Sequence, residues 1–545
     1  AMMDVIEEDV KDIDGLSAAE KIKRLYPSLR DMQIYMIQNK NKNVILVAST
    51  GTGKTEAAVL WIEDEKGFYT LPLQIAINST YSRIKNKIKY SKVRLLHSNA
   101  LSTYIKEEKD NGDIDAQEEY QKAKLFSAPL TVCTVDQLFK FVFKYNGFEH
   151  LLATLAYSKV VIDEIQMYSP DIVASLIYGL KLITDFGGKF AIVTATFPPI
   201  LGDLMRKYRI PFEGPVFFHN PDLPTRHRIK FFKDKDFDYK LIVDLGSKYK
   251  VVVFTNTVKK AQEVYNELKE KANTWIIHSK YIRKHRRMLE EKILEFAPNK
   301  KDRDTTPGIW VSTQVLEASL DLDFDFGFSS LSSIESLLQR EGRDRRNRLY
   351  NEEEPNFYIY DNKDGIGTII DPQIYYFSLH AVEKYDGKLL YETDAQDDKQ
   401  AMIEMVYDKN KNPKILSSDY FKNIIKMIDG LSNLTPYDLS HKEVIKQFRN
   451  IDSITIMPKP IYTKLLKSGK IKEWEDNLKQ NIPLNEKQLI IDEINEYTLN
   501  LSHWRTKEHL IKQRDIIYPN SGIMVWDCEY DFDEKTLKGI GLKDY

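Results

Sequence analysis

The residues best suited to chemistry in this chain are two adjacent acids, a lysine behind a glycine loop, and a cluster of arginines. Asp163 and Glu164 close the apolar run Val160-Val161-Ile162. A buried strand ending in two neighbouring carboxylates can hold Mg²⁺ on the first and orient or deprotonate a water with the second. Lys54 lies in Ala48-Ser49-Thr50-Gly51-Thr52-Gly53-Lys54-Thr55, after Val44-Ile45-Leu46-Val47 and before Glu56-Ala57-Ala58-Val59-Leu60-Trp61. Strand, glycine loop and helix in that order form a phosphate cradle. Glycine lets backbone N–H groups turn inward, and the helix start adds its positive dipole end. Lys54 is placed to reach β- and γ-phosphates, and the Thr55 hydroxyl to bind Mg²⁺. Asp-Glu pairs and glycine turns are each common on surfaces; the buried-strand setting of both is not.

Four arginines fall between positions 340 and 346 of Gln339-Arg340-Glu341-Gly342-Arg343-Asp344-Arg345-Arg346. Arg343 and Arg346 share a face if helical. They read either as a charged surface helix or as arginines that close on a γ-phosphate. Several further strands run into polar loops: Leu71-Pro72 with Asn78 and Arg83 on the helix that follows, Thr134-Val135-Asp136, Thr194-Ala195-Thr196, Thr255-Asn256-Thr257, Ile277-His278 and Ser312-Thr313-Gln314. In a parallel α/β sheet such loops gather at the carboxyl edge, where ligands bind. Alone, each is equally an ordinary connection, and His278 alone reads as a structural histidine. The Thr194 and Thr196 hydroxyls could link two sites or only cap a loop. Lys280, Arg283, Lys284, His285, Arg286 and Arg287 read as a solvated face or a phosphate contact. Gln33 offers an amide, donor and acceptor together, that suits an adenine edge as well as a surface.

Those residues need a framework of alternating strands and helices, and the rest of the chain supplies it. At 545 residues, three or so domains are expected. A composition 42% hydrophobic and 29% charged is that of a globular protein. A formal net charge of −2 means that any basic surface is local. The two cysteines, Cys133 and Cys528, exclude a disulfide scaffold and fit a reducing cytoplasm. No apolar run reaches the ~18 residues of a membrane span, and the amino-terminal stretch lacks a signal-peptide pattern. Pro211 to Pro224 reads as an interdomain linker.

Taken together, Gln33, the Thr50–Thr55 loop, Asp163-Glu164-Ile165-Gln166, Thr194-Ala195-Thr196 and Gln339–Arg346 resemble, in order, the motifs of superfamily 2 helicases. More narrowly, Leu71-Pro72-Leu73-Gln74, Thr134-Val135-Asp136-Gln137, Asn256–Ala261 and Thr313–Asp325 are similar to the CRISPR-associated helicase of type I systems. The resemblance runs from about Tyr26 to Arg348 and weakens beyond, where Gln447–Ile451 and Tyr530…Leu542 are similar to that family's small C-terminal domain. It implies two tandem RecA-like parallel α/β lobes, a helical connector and a C-terminal accessory domain. The expected bounds are 1–25 for an N-terminal segment, 26–215 and 216–375 for the lobes, 376–445 for the connector and 446–545 for the last domain.

It implies ATP and Mg²⁺ as cofactors. Lys54, Glu164, Gln339, Arg343 and Arg346 are the expected catalytic set. Gln33, Thr50, Gly51, Thr52, Gly53, Lys54, Thr55 and Asp321 are expected on the nucleotide, and Thr55 and Asp163 on Mg²⁺. Pro72, Asn78, Arg83, Thr134, Asp136, Asn256, His278, Thr313 and Gln314 are expected on the nucleic acid. The implied activity is ATP-dependent movement 3′ to 5′ on single-stranded DNA for a type I CRISPR interference complex (Cascade), in the cytoplasm and without a membrane. Many such helicases carry a His-Asp (HD) nuclease. None of the ten histidines here precedes an aspartate, and those after Leu349, His380, His441, His503 and His509, form no HD pair. A separate HD nuclease subunit is therefore expected. A superfamily 2 RNA helicase, or a nucleotide-binding module without turnover, are the alternatives.

Overall fold

The fold described is that of a computed structural model. The described residues are 7–49, 51–111, 115–300, 302–317, 321–437, 439, 443–444, 453–502 and 522–544. Thr50, expected on the nucleotide, lies outside them, as do Ala318–Leu320, Gln447–Ile451, His441, His503 and His509.

Two seven-stranded sheets organise the chain. The first is built from β1 (Val44–Ala48), β2 (Gly67–Leu71), β3 (Val93–Leu96), β4 (Leu130–Thr134), β5 (Lys159–Asp163), β6 (Lys189–Thr194) and β7 (Glu213–Phe218), in the order β3-β4-β2-β5-β6-β1-β7. Every pairing in it is parallel. Parallel sheets need cover on both faces, so their strands read as unbroken apolar runs. β1 shows the consequence. Ile45 and Val47 enter one hydrophobic cluster with Val160, Ile162 and Ile192, while Val44 and Leu46 enter another with Tyr69, Val161 and Val193. That alternation is the two-residue period of a strand.

The second sheet contains β8 (Thr225–Phe232), β9 (Lys250–Phe254), β10 (Thr274–Ile277), β11 (Gly308–Ser312), β12 (Phe326–Ser330), β13 (Phe357–Tyr360) and β14 (Leu389–Tyr391), in the order β10-β11-β9-β12-β13-β8-β14. Only β14 runs antiparallel. Again Val251 and Val253 face one cluster, and Val252 and Phe254 the other.

The passage from Pro211 to Pro224, expected as a linker, supplies β7 through Phe218 before crossing to the second lobe. Pro215 is accommodated because β7 is an edge strand. The helical connector does more than connect. Helices α1 (Pro372–Lys384), α2 (Asp398–Tyr407) and α3 (Asp419–Ser432) share one hydrophobic cluster with a face of the first sheet. Ile374, Met402, Ile424 and Ile428 pack there with Leu176, Leu180 and Leu337. Lys144 of the first lobe donates to the Ser432 and Leu434 carbonyls at the end of α3, at 3.1 and 2.9 Å.

The C-terminal part forms a small sheet of β15 (Ser453–Pro458), β16 (Leu499–Ser502) and β17 (Ile523–Trp526), and a hairpin of β18 (Tyr530–Asp533) and β19 (Lys538–Leu542). The hairpin docks on the second lobe. Gln262 Nε2 donates to the Ile540 and Leu542 carbonyls, and Tyr281 Oη to the Gly539 carbonyl. Among the described residues, no helix is long and apolar enough to cross a membrane.

Candidate nucleotide-binding cleft

The glycine loop forms as its residue types dictate. Gly51 and Gly53 have φ of +79° and +89°, a region open to glycine at little cost, and the helix α4 (Lys54–Ile62) starts immediately after. The loop is pinned from two sides. Thr52 Oγ1 donates to the Ser49 carbonyl at 2.7 Å, and Arg30 Nη1 to the Gly51 carbonyl at 3.2 Å. Thr52 thus shapes the loop and is not itself among the residues lining the cleft.

The loop opens on a cleft of about 650 Å³ between the lobes. The first lobe contributes Gln33, Gly51, Gly53, Lys54, Thr55, Asp163 and Glu164; the second contributes Asp321, Gln339, Arg343 and Arg346. Among the described residues, the structure thus brings the expected nucleotide and catalytic set together except for Thr52.

Within the cleft, Lys54 Nζ lies 3.0 Å from Glu164 Oε1. Glu164 Oε2 accepts from Gln166 Nε2 at 2.6 Å and from the Ala195 N–H at 3.3 Å. Burial works against its charge, but Lys54 and these donors win and hold its carboxyl below the usual value. The Glu164 backbone has φ +51°, a conformation that costs a non-glycine residue on the order of 1 kcal/mol and clusters at functional sites. Asp163 is the opposite case. Burial and the neighbouring Glu164 push its carboxyl up to about 7. Its Oδ2 accepts from Tyr69 Oη at 2.7 Å, while Oδ1 is buried with no hydrogen-bond partner. This buried unpaired carboxylate oxygen and the hydroxyl of Thr55, which lines the same cleft, are hard oxygen donors that fit Mg²⁺. Thr194 Oγ1 lies 2.5 Å from Gln166 Oε1, 3.2 Å from Glu164 Oε2 and 2.8 Å from the Thr196 carbonyl. Its hydroxyl therefore ties β6 to the acid pair.

From the second lobe, Arg343 Nε donates to the Leu316 carbonyl at 2.9 Å. Burial, and Arg346 beside it, lower its guanidinium to about 9, so it stays charged at neutral pH. Arg346 pairs with Asp321 at 2.8 Å. Arg340 does not reach the cleft. It is fully buried and binds Glu317 Oε1 at 2.8 Å through Nε, Ser329 Oγ at 2.9 Å and Asn256 Oδ1 at 2.8 Å.

The expected nucleic-acid residues divide. Pro72, Asp136 and Gln314 lie just beyond the carboxyl ends of β2, β4 and β11, Asn78 is exposed on the helix Gln74–Ser82 that follows β2, and Thr134 and Thr313 are buried at their strand ends and so unavailable to a nucleic acid. Asn78 Oδ1 lies 2.9 Å from His97 Nε2, and Gln314 Nε2 donates to the Asn256 carbonyl at 2.9 Å. Three more residues need correction. Arg83 lines the nucleotide cleft, its Nε 2.8 Å from Glu56 Oε1 on α4. Asn256 is 1% exposed. Its amide is committed to the Leu331 and Asp364 carbonyls and to Arg340, which fixes it as a lobe strut. His278 has no exposed surface; its ring stacks on Tyr281 beneath the hairpin, and burial drops its pKa to about 3.

Part of the basic cluster after His278 contacts the C-terminal domain, while Arg287 stays exposed and Arg286 pairs with Glu290 on its own helix. Lys284 pairs with Glu534 at 2.8 Å and Arg287 with Glu496 at 2.8 Å, and His285 Nδ1 lies 2.9 Å from Tyr530 Oη.

Sequence reasoning missed one buried group beside the cleft. Arg226 grips both oxygens of Glu392 at 2.7 and 2.8 Å and donates to the Arg346 carbonyl at 3.0 Å, while Lys399 lies 2.9 Å from Glu392. No local spacing announces this group, because its members come from β8, the stretch after β14, and α2. Among the described residues, no group of three or more His, Cys, Asp or Glu could hold a metal ion.

Two family models match. Residues 30–204 match the DEAD/DEAH box helicase, and residues 247–349 the C-terminal part of the CRISPR-associated nuclease/helicase Cas3. The chain is 27% identical over 542 residues to the CRISPR-associated nuclease/helicase Cas3 of Methanothermobacter thermautotrophicus, covering 92% of this chain and 63% of that protein. A 25% match to the Escherichia coli CRISPR-associated endonuclease/helicase Cas3 covers 56% of this chain and 41% of that one. The chain spans less than two thirds of the length of these curated relatives. Among solved structures, T. fusca Cas3 with ATP superposes with TM-score 0.72 at 15% identity, over 96% of this chain and 72% of that one, which establishes the shared fold.

Proposed function

Because the chain belongs to the CRISPR-associated helicases of superfamily 2, we propose that it is an ATP-driven motor moving 3′ to 5′ along single-stranded DNA. In this reading it acts in the cytoplasm for a type I CRISPR interference complex (Cascade) and unwinds target DNA for an HD nuclease on a separate subunit. One observation supports the motor chemistry most: Lys54, Thr55, Asp163 and Glu164 of one lobe face Arg343 and Arg346 of the other across a single cleft.

The division of labour follows from the side chains. Lys54 and the loop amides bind the phosphates. Thr55 and Asp163 would hold Mg²⁺, which supplies charge neutralisation on the phosphate oxygens when bound. Glu164, kept ionised by its neighbours, orients the attacking water and takes its proton. Arg343 and Arg346 add positive charge that the first lobe lacks, so hydrolysis depends on how the lobes meet. That dependence turns nucleotide turnover into relative lobe motion. Single-stranded DNA would cross the carboxyl ends of both sheets past Pro72, Asn78, Asp136 and Gln314, held mainly by its backbone, as a sequence-tolerant motor requires. Association with an interference complex is supported by the fold shared with a chain in a CRISPR RNA-guided surveillance complex, TM-score 0.60.

The test is ATP hydrolysis by the purified chain with single-stranded DNA, single-stranded RNA or no nucleic acid, together with strand displacement on 3′- and 5′-tailed duplexes. Stimulation by DNA and unwinding from 3′ tails is the expected result. Stimulation by RNA alone would make it an RNA helicase, and binding without turnover a regulatory module.

A further inference from the structure

Gln33 and Glu56 each use one polar atom internally and keep the other for the cleft. Gln33 Oε1 accepts from the Arg30 N–H at 3.0 Å, completing the cap of the helix Asp31–Gln38. That leaves Nε2 as a donor. Glu56 Oε1 accepts from Arg83 Nε and Nη2 at 2.8 and 2.5 Å. Its Oε2 is buried, has no hydrogen-bond partner, and belongs to a residue only 2% exposed that lines the cleft. Both spare atoms converge on Gly53. Gln33 Nε2 lies 3.1 Å, and Glu56 Oε2 3.7 Å, from where a Cβ on that residue would stand.

A donor and an acceptor side by side match one purine edge. Adenine offers an amine donor and the N7 acceptor there, whereas guanine offers two acceptors. We propose that Glu56, held by Arg83, is a specificity residue of the nucleotide site: its Oε2 accepts from the exocyclic amine of adenine while Gln33 Nε2 donates to N7. The carbonyl oxygen of guanine would face the same carboxylate and be repelled. This inference rests on the nucleotide reading of the cleft. It also gives the buried carboxylate oxygen the partner that it otherwise lacks.

The experiment compares kcat/KM for ATP and GTP in the intact chain, Glu56→Gln and Arg83→Met, with thermal melting as the folding control. The intact chain should prefer ATP by roughly 10-fold or more, the worth of one hydrogen bond to a charged group. Glu56→Gln places an amide where it can donate to the guanine carbonyl. It should narrow that preference by roughly the same factor, through KM, with kcat on ATP changed only a few-fold because Glu56 is not placed on the γ-phosphate. Arg83→Met, at a side chain 40% exposed, removes the partner that fixes Glu56 and should narrow the preference too, so the idea stays testable if Glu56→Gln does not fold. An ATP-to-GTP ratio that stays put in the folded variants, or equal use of both nucleotides by the intact chain, overturns the inference and leaves the motor reading standing. Hydrolysis of neither nucleotide by the intact chain overturns both.

Discussion

Replacing Arg340 by methionine separates a strut from the cleft arginines beside it. Arg340 is fully buried and holds Glu317, Ser329 and Asn256, residues from three segments of the second lobe. Glu317 is itself only 5% exposed. Removing the guanidinium strands its carboxylate in a low-dielectric interior, and breaking a buried pair from one side costs about 3–5 kcal/mol. For a lobe on the order of 150 residues, each kcal/mol moves the melting temperature by about 2–4 °C, so a drop of roughly 6–20 °C is expected. Differential scanning fluorimetry and far-UV circular dichroism read that directly. The double variant Arg340→Met/Glu317→Gln removes both charges and should recover more than half of the loss, because deleting both partners is far cheaper than deleting one. A melting temperature within about 2 °C of the intact chain, or a double variant no better than the single, would refute the strut.

The other predictions concern the cleft and the crossing between lobes. Glu164→Gln should lower kcat for ATP by ~10²–10⁴ with the nucleotide still bound, as loss of a general base does, and Lys54→Ala should weaken binding as well; rapid-quench hydrolysis beside equilibrium nucleotide titration distinguishes the two. Arg346→Ala should lower kcat by about 10³ or more with KM for ATP changed far less, and near-normal turnover would reduce the residue to a surface charge. His219 lies 2.8 Å from Asp397 and 2.9 Å from Asp394, and these acids raise its pKa to about 9. Because the folded value lies above the unfolded value of about 6.5, its stabilisation is complete below pH 6.5 and fades as pH rises through 9. His219→Asn should flatten the melting-temperature profile across that window.

What was legible in the sequence was what local backbone chemistry decides. The glycine loop and the Asp163-Glu164 pair announce themselves because strand, loop and helix starts lie within a few residues and need specific types: glycine at positive φ, a lysine next to it, acids at a strand end. Roles that depend on burial were not legible. Arg340, Arg343 and Arg346 are the same residue type three apart, yet only the first turns away from the cleft, to Glu317 and Asn256. Asn256 and His278 sit at strand ends, the usual place for ligand contact, and lose that role to partners distant in sequence: Arg340 for one, the hairpin of Tyr530–Leu542 for the other. The Arg226–Glu392–Lys399 group was invisible for the same reason, and it shows why the connector belongs to the motor. Arg226 holds the carbonyl of Arg346, Glu392 grips Arg226, Lys399 of α2 pairs with Glu392, and Gln400, next along α2, donates to the Phe197 carbonyl at 3.4 Å just past the Thr194–Thr196 loop. One turn of α2 is therefore tied to a cleft arginine of the second lobe, through Glu392 and Arg226, and directly to the loop behind the first lobe's acid pair, so that turn cannot stay fixed to both if the lobes part.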